Sequence, residues 1–108
     1  MSLFYNVKGS SVSGGQATTE LISPNVDRNV KSILLVNLHD TVAATVTLFI
    51  QNDPIDVKTS TYEILHSVSI PALATLAFEE PLIFSIPEEY GLYITVANND
   101  LVDVIIKT

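Results

Sequence analysis

The chain has 108 residues, 47% of them hydrophobic and only 16% charged, with a net charge of −7 and no cysteine. That length fits one domain around one core. The acidity, with Lys8, Arg28, Lys31, Lys58 and Lys107 scattered, argues against nucleic acid or an anionic membrane as partner, and the lack of cysteine removes disulfides, thiolate metal sites and cysteine nucleophiles.

Residues 1–7 have no basic lead and too short an apolar run for a signal peptide. No run of about 18 apolar residues exists anywhere, so no membrane span is expected. Leu3, Phe4, Tyr5 and Val7 form an apolar tip, followed by the Gly/Ser-rich stretch Lys8-Gly9-Ser10-Ser11-Val12-Ser13-Gly14-Gly15-Gln16. Residues 1–16 therefore read as a flexible N-terminal arm, and residues 17–108 as the folded domain. The tip is either a frayed end or a short edge strand folding back on its own domain, or an arm that docks on a neighbouring subunit. In the second case Leu3, Phe4, Tyr5 and Val7 are the interface.

Residues 17–22 have strand propensity and stop at Ser23-Pro24-Asn25, and residues 26–31 read as a polar loop. Ile33-Leu34-Leu35-Val36 is apolar on both faces, which predicts a central strand with something covering each side. Ala44, Val46, Leu48 and Ile50 then alternate with Thr45, Thr47 and Phe49, as in a strand with one face in a core. The two segments are expected at the centre of the domain. Asp53-Pro54-Ile55-Asp56 is a turn. Over residues 61–70, Tyr62, Ile64, His66, Val68 and Ile70 are expected on one face. Shorter strands follow over 73–79 and 82–86, bounded by Pro71, Pro81 and Pro87. Leu92, Ile94 and Val96 mark another strand. Asn98-Asn99-Asp100 reads as a hairpin-type turn, and Val102, Val104 and Ile106 face one way in the last strand. Seven to eight short strands without helical periodicity predict an all-β, antiparallel β-sandwich, jelly-roll or immunoglobulin-like.

No reaction emerges from the candidate groups. His39 and His66 could each join a Ser/His/Asp set, but no Gly-x-Ser-x-Gly elbow accompanies them. Asp53, Asp56 and Asp100 lack the ligand density that calcium requires, so no metal is expected. Glu79-Glu80 and Glu88-Glu89 could be paired carboxylates for glycoside hydrolysis, yet they sit beside prolines and the chain has no tryptophan to stack a sugar. The glycines fit no phosphate-binding loop, and no cofactor is expected. The low charge content and the apolar tip favour a self-assembling structural protein. The alternative is a monomeric immunoglobulin-like module that binds a peptide or glycan through its loops.

The segments Ser32-Ile33-Leu34-Leu35-Val36-Asn37-Leu38, Ala44-Thr45-Val46-Thr47-Leu48, Tyr62-Glu63-Ile64-Leu65, Val68-Ser69-Ile70-Pro71-Ala72, Thr75-Leu76 and Val102-Asp103-Val104-Ile105-Ile106 resemble a group of small virion proteins of tailed phages, cyanophage-like ones in particular. The resemblance spans residues 32–107 and rests on strand patterning; residues 1–31 match no known pattern. It implies a β-sandwich subunit of head-decoration or neck type, most simply a homotrimer, that binds itself and capsid or tail proteins. Such a protein would sit in the virion, and in the host cytoplasm during assembly. It supplies no catalytic residue.

Overall fold

A computed structural model describes residues 2–9, 16–24, 26–52, 61–84, 90–97 and 100–108. Among them, period-two alternation becomes ten antiparallel strands and no helix. They are β1 (Ser2–Lys8), β2 (Gln16–Ile22), β3 (Arg28–Val30), β4 (Ser32–Asn37), β5 (Ala44–Asn52), β6 (Thr61–Ile70), β7 (Thr75–Phe78), β8 (Leu82–Phe84), β9 (Tyr90–Ala97) and β10 (Leu101–Lys107).

The pairing is nested. β1 pairs with β10, β2 with β9, β3 with β8, β4 with β7 and β5 with β6. The chain is thus one long two-stranded ribbon, and two further pairings, β10 with β4 and β5 with β9, roll it up. Sheet A has the order β1-β10-β4-β7 and sheet B the order β2-β9-β5-β6, with β3–β8 as a separate short ribbon. This is the strand order of a jelly roll rather than of an immunoglobulin sandwich.

The core lies between the sheets. Sheet A contributes Val7, Ile33, Leu35, Val102, Val104 and Ile106; sheet B contributes Ala44, Val46, Leu48, Leu92, Ile94 and Val96. Each set occupies alternate positions of its strands, as a sheet with one buried face requires.

Four expectations change. Ten strands replace seven or eight, because residues 2–8 and Arg28–Val30 pair as well; Val30 is buried, which explains why the polar stretch around it still holds a strand. The domain boundary drawn after residue 16 differs from the placement of residues 2–8 in sheet A, where alternation aims Leu3, Tyr5 and Val7 inward. The expected face of β6 is broken by register shifts against β5 around Leu48. Ser67 has φ 49°, and its N–H donates to Thr47 Oγ1 at 3.0 Å. Val68 and Ile70 therefore stay opposite Val46 and Ala44, Leu65 moves opposite Leu48, and His66 is exposed. Finally, β9 and β10 belong to different sheets and do not pair as a hairpin, although the Asp100 N–H donates to the Ala97 carbonyl at 3.2 Å between them. Residues 53–60, 85–89 and 98–99, which include Asp53, Asp56, Glu88, Glu89 and the two asparagines of that turn, lie outside the described residues.

Gly91 marks one close approach. A Cβ there would sit 2.5 Å from the Ile22 carbonyl oxygen and 3.0 Å from Pro24, where the irregular end of β2 presses on β9.

Because β1 covers one side of β10 and places Val7 and Tyr5 against the core, deleting residues 1–9 is expected to cost about 3 kcal/mol or more. A fall in the urea unfolding midpoint checks this. An unchanged midpoint would put residues 2–8 outside the cooperative unit.

Candidate functional site

In an antiparallel sandwich the outward positions of each sheet are normally polar. Sheet A breaks that rule. Its register lines up Phe4, Ile105, Leu34 and Ala77 in one outward row across all four strands. The next row is Asn6, Asp103, Val36 and Thr75. A third row runs from Lys8 through Leu101 to Leu38, whose N–H donates to the Leu101 carbonyl at 3.0 Å. Leu73, in the turn before β7, donates its N–H to the His39 carbonyl at 3.1 Å and extends this end of the face. Phe4 is 71% exposed, Leu73 74%, Leu38 45% and Leu101 38%. Leu34, Val36 and Ile105 are half-buried.

With strands about 4.8 Å apart and outward residues about 7 Å apart along a strand, this face covers about 400 Å². Asn6, Asp103, Thr75 and Lys8 make part of that area polar; the apolar remainder is near the low end of the largest patch that a typical monomer shows, which is often functional. Its polar centre is self-satisfied, because Asn6 Nδ2 donates to Asp103 Oδ1. Beside that pair a depression of about 260 Å³ opens between β1 and β10, bordered by Phe4, Asn6, Asp103 and Ile105.

Sheet B follows the rule. Thr18, Thr95 and Thr47 form an outward row, and Thr18 Oγ1 and Thr95 Oγ1 share a hydrogen bond of 2.9 Å. Phe49 stacks beside Tyr93 with ring centroids 5.6 Å apart, flanked by Glu20 and Glu63 on the edge strands. One outer face is greasy and the other is wet.

A buried polar network fixes the end of the sandwich on which Leu38 and Leu73 sit. Asn37 ends the inward row of β4, and its Nδ2 donates to the carbonyls of Val42 (2.9 Å), Ile70 (3.0 Å) and Pro71 (3.3 Å). Its Oδ1 accepts the His39 N–H at 2.9 Å. Asp100 is also buried; its Oδ2 accepts the Thr45 N–H at 2.9 Å and its Oδ1 lies 3.3 Å from His39 Nε2. One asparagine and one aspartate thereby tie together the segments that follow β4, β6 and β9. Leu73 has φ 63°, a left-handed conformation that is costly for leucine, and the bond to His39 helps to hold it there.

The sequence-predicted residues separate. Of the apolar tip, Phe4 alone points out from sheet A; Val7 is buried, and Leu3 and Tyr5 pack against the core, with Tyr5 Oη donating to the Leu21 carbonyl across the two sheets. His66 pairs with Glu63 on the exposed edge of sheet B. Glu79 and Glu80 are exposed on the stretch after β7. Among the described residues, no three metal-ligating side chains cluster. Leu34, Val36, Leu38, Leu73, Leu101 and Ile105 were not anticipated as surface. The available signal was the unbroken apolar run at 33–36, which left the outward side of β4 without a polar residue to face water.

No protein-family model matches the chain, and no curated protein matches it. Among solved structures, a chain from infectious bursal disease virus, Gx strain, superposes with a TM-score of 0.53 at 13% identity, covering 98% of this chain and 31% of that one. A chain from the T13 particle of the same virus gives 0.46 at 11% identity, covering 97% of this chain and 30% of that one. The chain spans under a third of the length of these viral chains. The first comparison shows a shared antiparallel β fold, without singling out tailed-phage proteins.

The network predicts a stability ordering. Replacing Asn37→Ala leaves buried carbonyls and the His39 N–H unpartnered, at a cost of about 1–3 kcal/mol. Asn37→Asp is expected to cost more, because a carboxylate would face three carbonyl oxygens. Urea unfolding at neutral pH checks the order, and equal stability of the Asn37→Asp variant and wild type would refute it.

Proposed function

We propose that the chain is a non-enzymatic structural protein of a virus particle, assembling with itself and with capsid or tail proteins through the outer face of sheet A. The observation that carries this reading is the row Phe4, Ile105, Leu34 and Ala77, continued by Val36, Leu38, Leu101 and Leu73. Water is a poor partner for such a face, and burying it between copies is favourable by about 25 cal/mol per Å². The capsid-like fold supports the virion setting, and the resemblance over residues 32–107 supports a tailed-phage head-decoration or neck component. A face of about 400 Å² is about half of one partner's share in a standard interface, so neighbouring loops and edge strands would complete the contact. A homotrimer is the assembly that the resemblance implies.

Phe4 and Leu73 are exposed, so acidic replacements there should leave the core alone. The Phe4→Asp, Leu73→Asp double variant is expected to keep the wild-type circular dichroism spectrum and a cooperative unfolding transition but to run as a monomer by light scattering, while wild type runs as an oligomer. An oligomer of unchanged mass in the variant would remove this face from the assembly, and a wild-type monomer at high and low concentration would contradict self-association.

A further inference from the structure

The outer face of sheet B carries a second feature, a depression of about 310 Å³ lined by Thr47, Phe49, Gln51, Thr61, Glu63, His66, Ser67 and Thr95. Its shape is built into the fold, because the register shifts of β6 and the left-handed Ser67 bend that edge strand against β5. Phe49 supplies a half-buried aromatic ring, steadied by its stack on Tyr93. Around it stand planar polar groups that are only partly used. Gln51 Oε1 accepts from Thr61 Oγ1 at 3.2 Å, and Glu63 Oε2 pairs with His66 Nδ1. Gln51 Nε2, Glu63 Oε1 and His66 Nε2 make no further bond to another described residue, which offers one donor, one acceptor and one group able to act as either.

We propose that this depression binds a neutral pyranose, as one or two units of a glycan. A pyranose has C–H faces that pack on an aromatic ring and a rim of hydroxyls, each both donor and acceptor, which suits an amide, a carboxylate and an imidazole set around that ring. The volume is at the lower end for a small-molecule site and fits a ligand of that size. Among the described residues no lysine or arginine lines the depression while Glu63 does, which disfavours phosphate, sulfate and carboxylate ligands. Strand addition by a peptide is disfavoured too, since irregularities in an edge strand block regular pairing. The site lies on the opposite sheet from the assembly face and does not depend on it.

The test is a titration of the isotope-labelled protein with maltose, cellobiose and lactose, followed by amide NMR shifts. Saturable shifts centred on Thr47, Phe49, Gln51, Glu63 and Ser67, at millimolar affinity with at least one sugar, are expected. Gln51→Ala at a half-buried position and Glu63→Ala at an exposed one should each weaken binding about three- to tenfold while leaving the fold and the oligomeric mass unchanged. Absence of saturable shifts with all three sugars, shifts centred elsewhere, or full affinity in both variants would overturn the proposal.

Discussion

A two-stranded antiparallel ribbon cannot bury its own apolar face, and that constraint shapes the whole molecule. Five nested strand pairs make a ribbon with one side lined by valine, isoleucine and leucine. Only by folding over can the ribbon set that side against itself. β10 lying beside β4, and β5 beside β9, are the two contacts that close the roll, and they make β10, β4, β9 and β5 the inner strands of their sheets. The cost of rolling is a set of crossings between sheets. At one end Asn37 and Asp100 meet it by hydrogen-bonding the backbone of Val42, Ile70 and Thr45.

Once rolled, the domain has two outer faces with different chemistry. The hydroxyl-rich face of sheet B is at home in water. The face of sheet A has Leu34, Val36 and Ile105 on its inner strands and Phe4 on its edge. Charge is sparse in the chain as a whole, and on this face it comes from Lys8 and Lys107 at the two margins and from Asp103, which is held by Asn6. Apolar rows across four strands with a single polar pair at the centre suit a partner that buries the face and must match it at one point.

Much of this was legible in the residues. Strict alternation in Ala44–Asn52 and Leu101–Lys107 gave the inward rows correctly, and turn residues marked most strand ends. Apolarity on both sides of Ile33-Leu34-Leu35-Val36 already implied two covered faces; the domain itself covers one of them. What stayed hidden depends on partners distant in sequence. The shifts in β6 arise from its fit to β5, so alternation alone placed His66 on the wrong side. The three residues of β3 make a strand because β8 lies beside them, not through their own propensity. The glycine- and serine-rich stretch after Val7 resembled a tether, whereas the alternation of Leu3, Tyr5 and Val7 was the more informative signal for residues 2–8. Which apolar residues line the core and which the outer face followed only from register.

Hydrogen exchange followed residue by residue tests the central claim most directly, because the apolar face of sheet A is complete only if residues 2–8 are laid down as its edge. The account predicts protection of the β1 amides that bond to β10, together with the slowest exchange in β4, β5, β9 and β10. Free exchange throughout residues 2–8, with β10 protected on its β4 side alone, would contradict it. Phe4 would then belong to a loose arm, and the apolar face would lose its outermost strand.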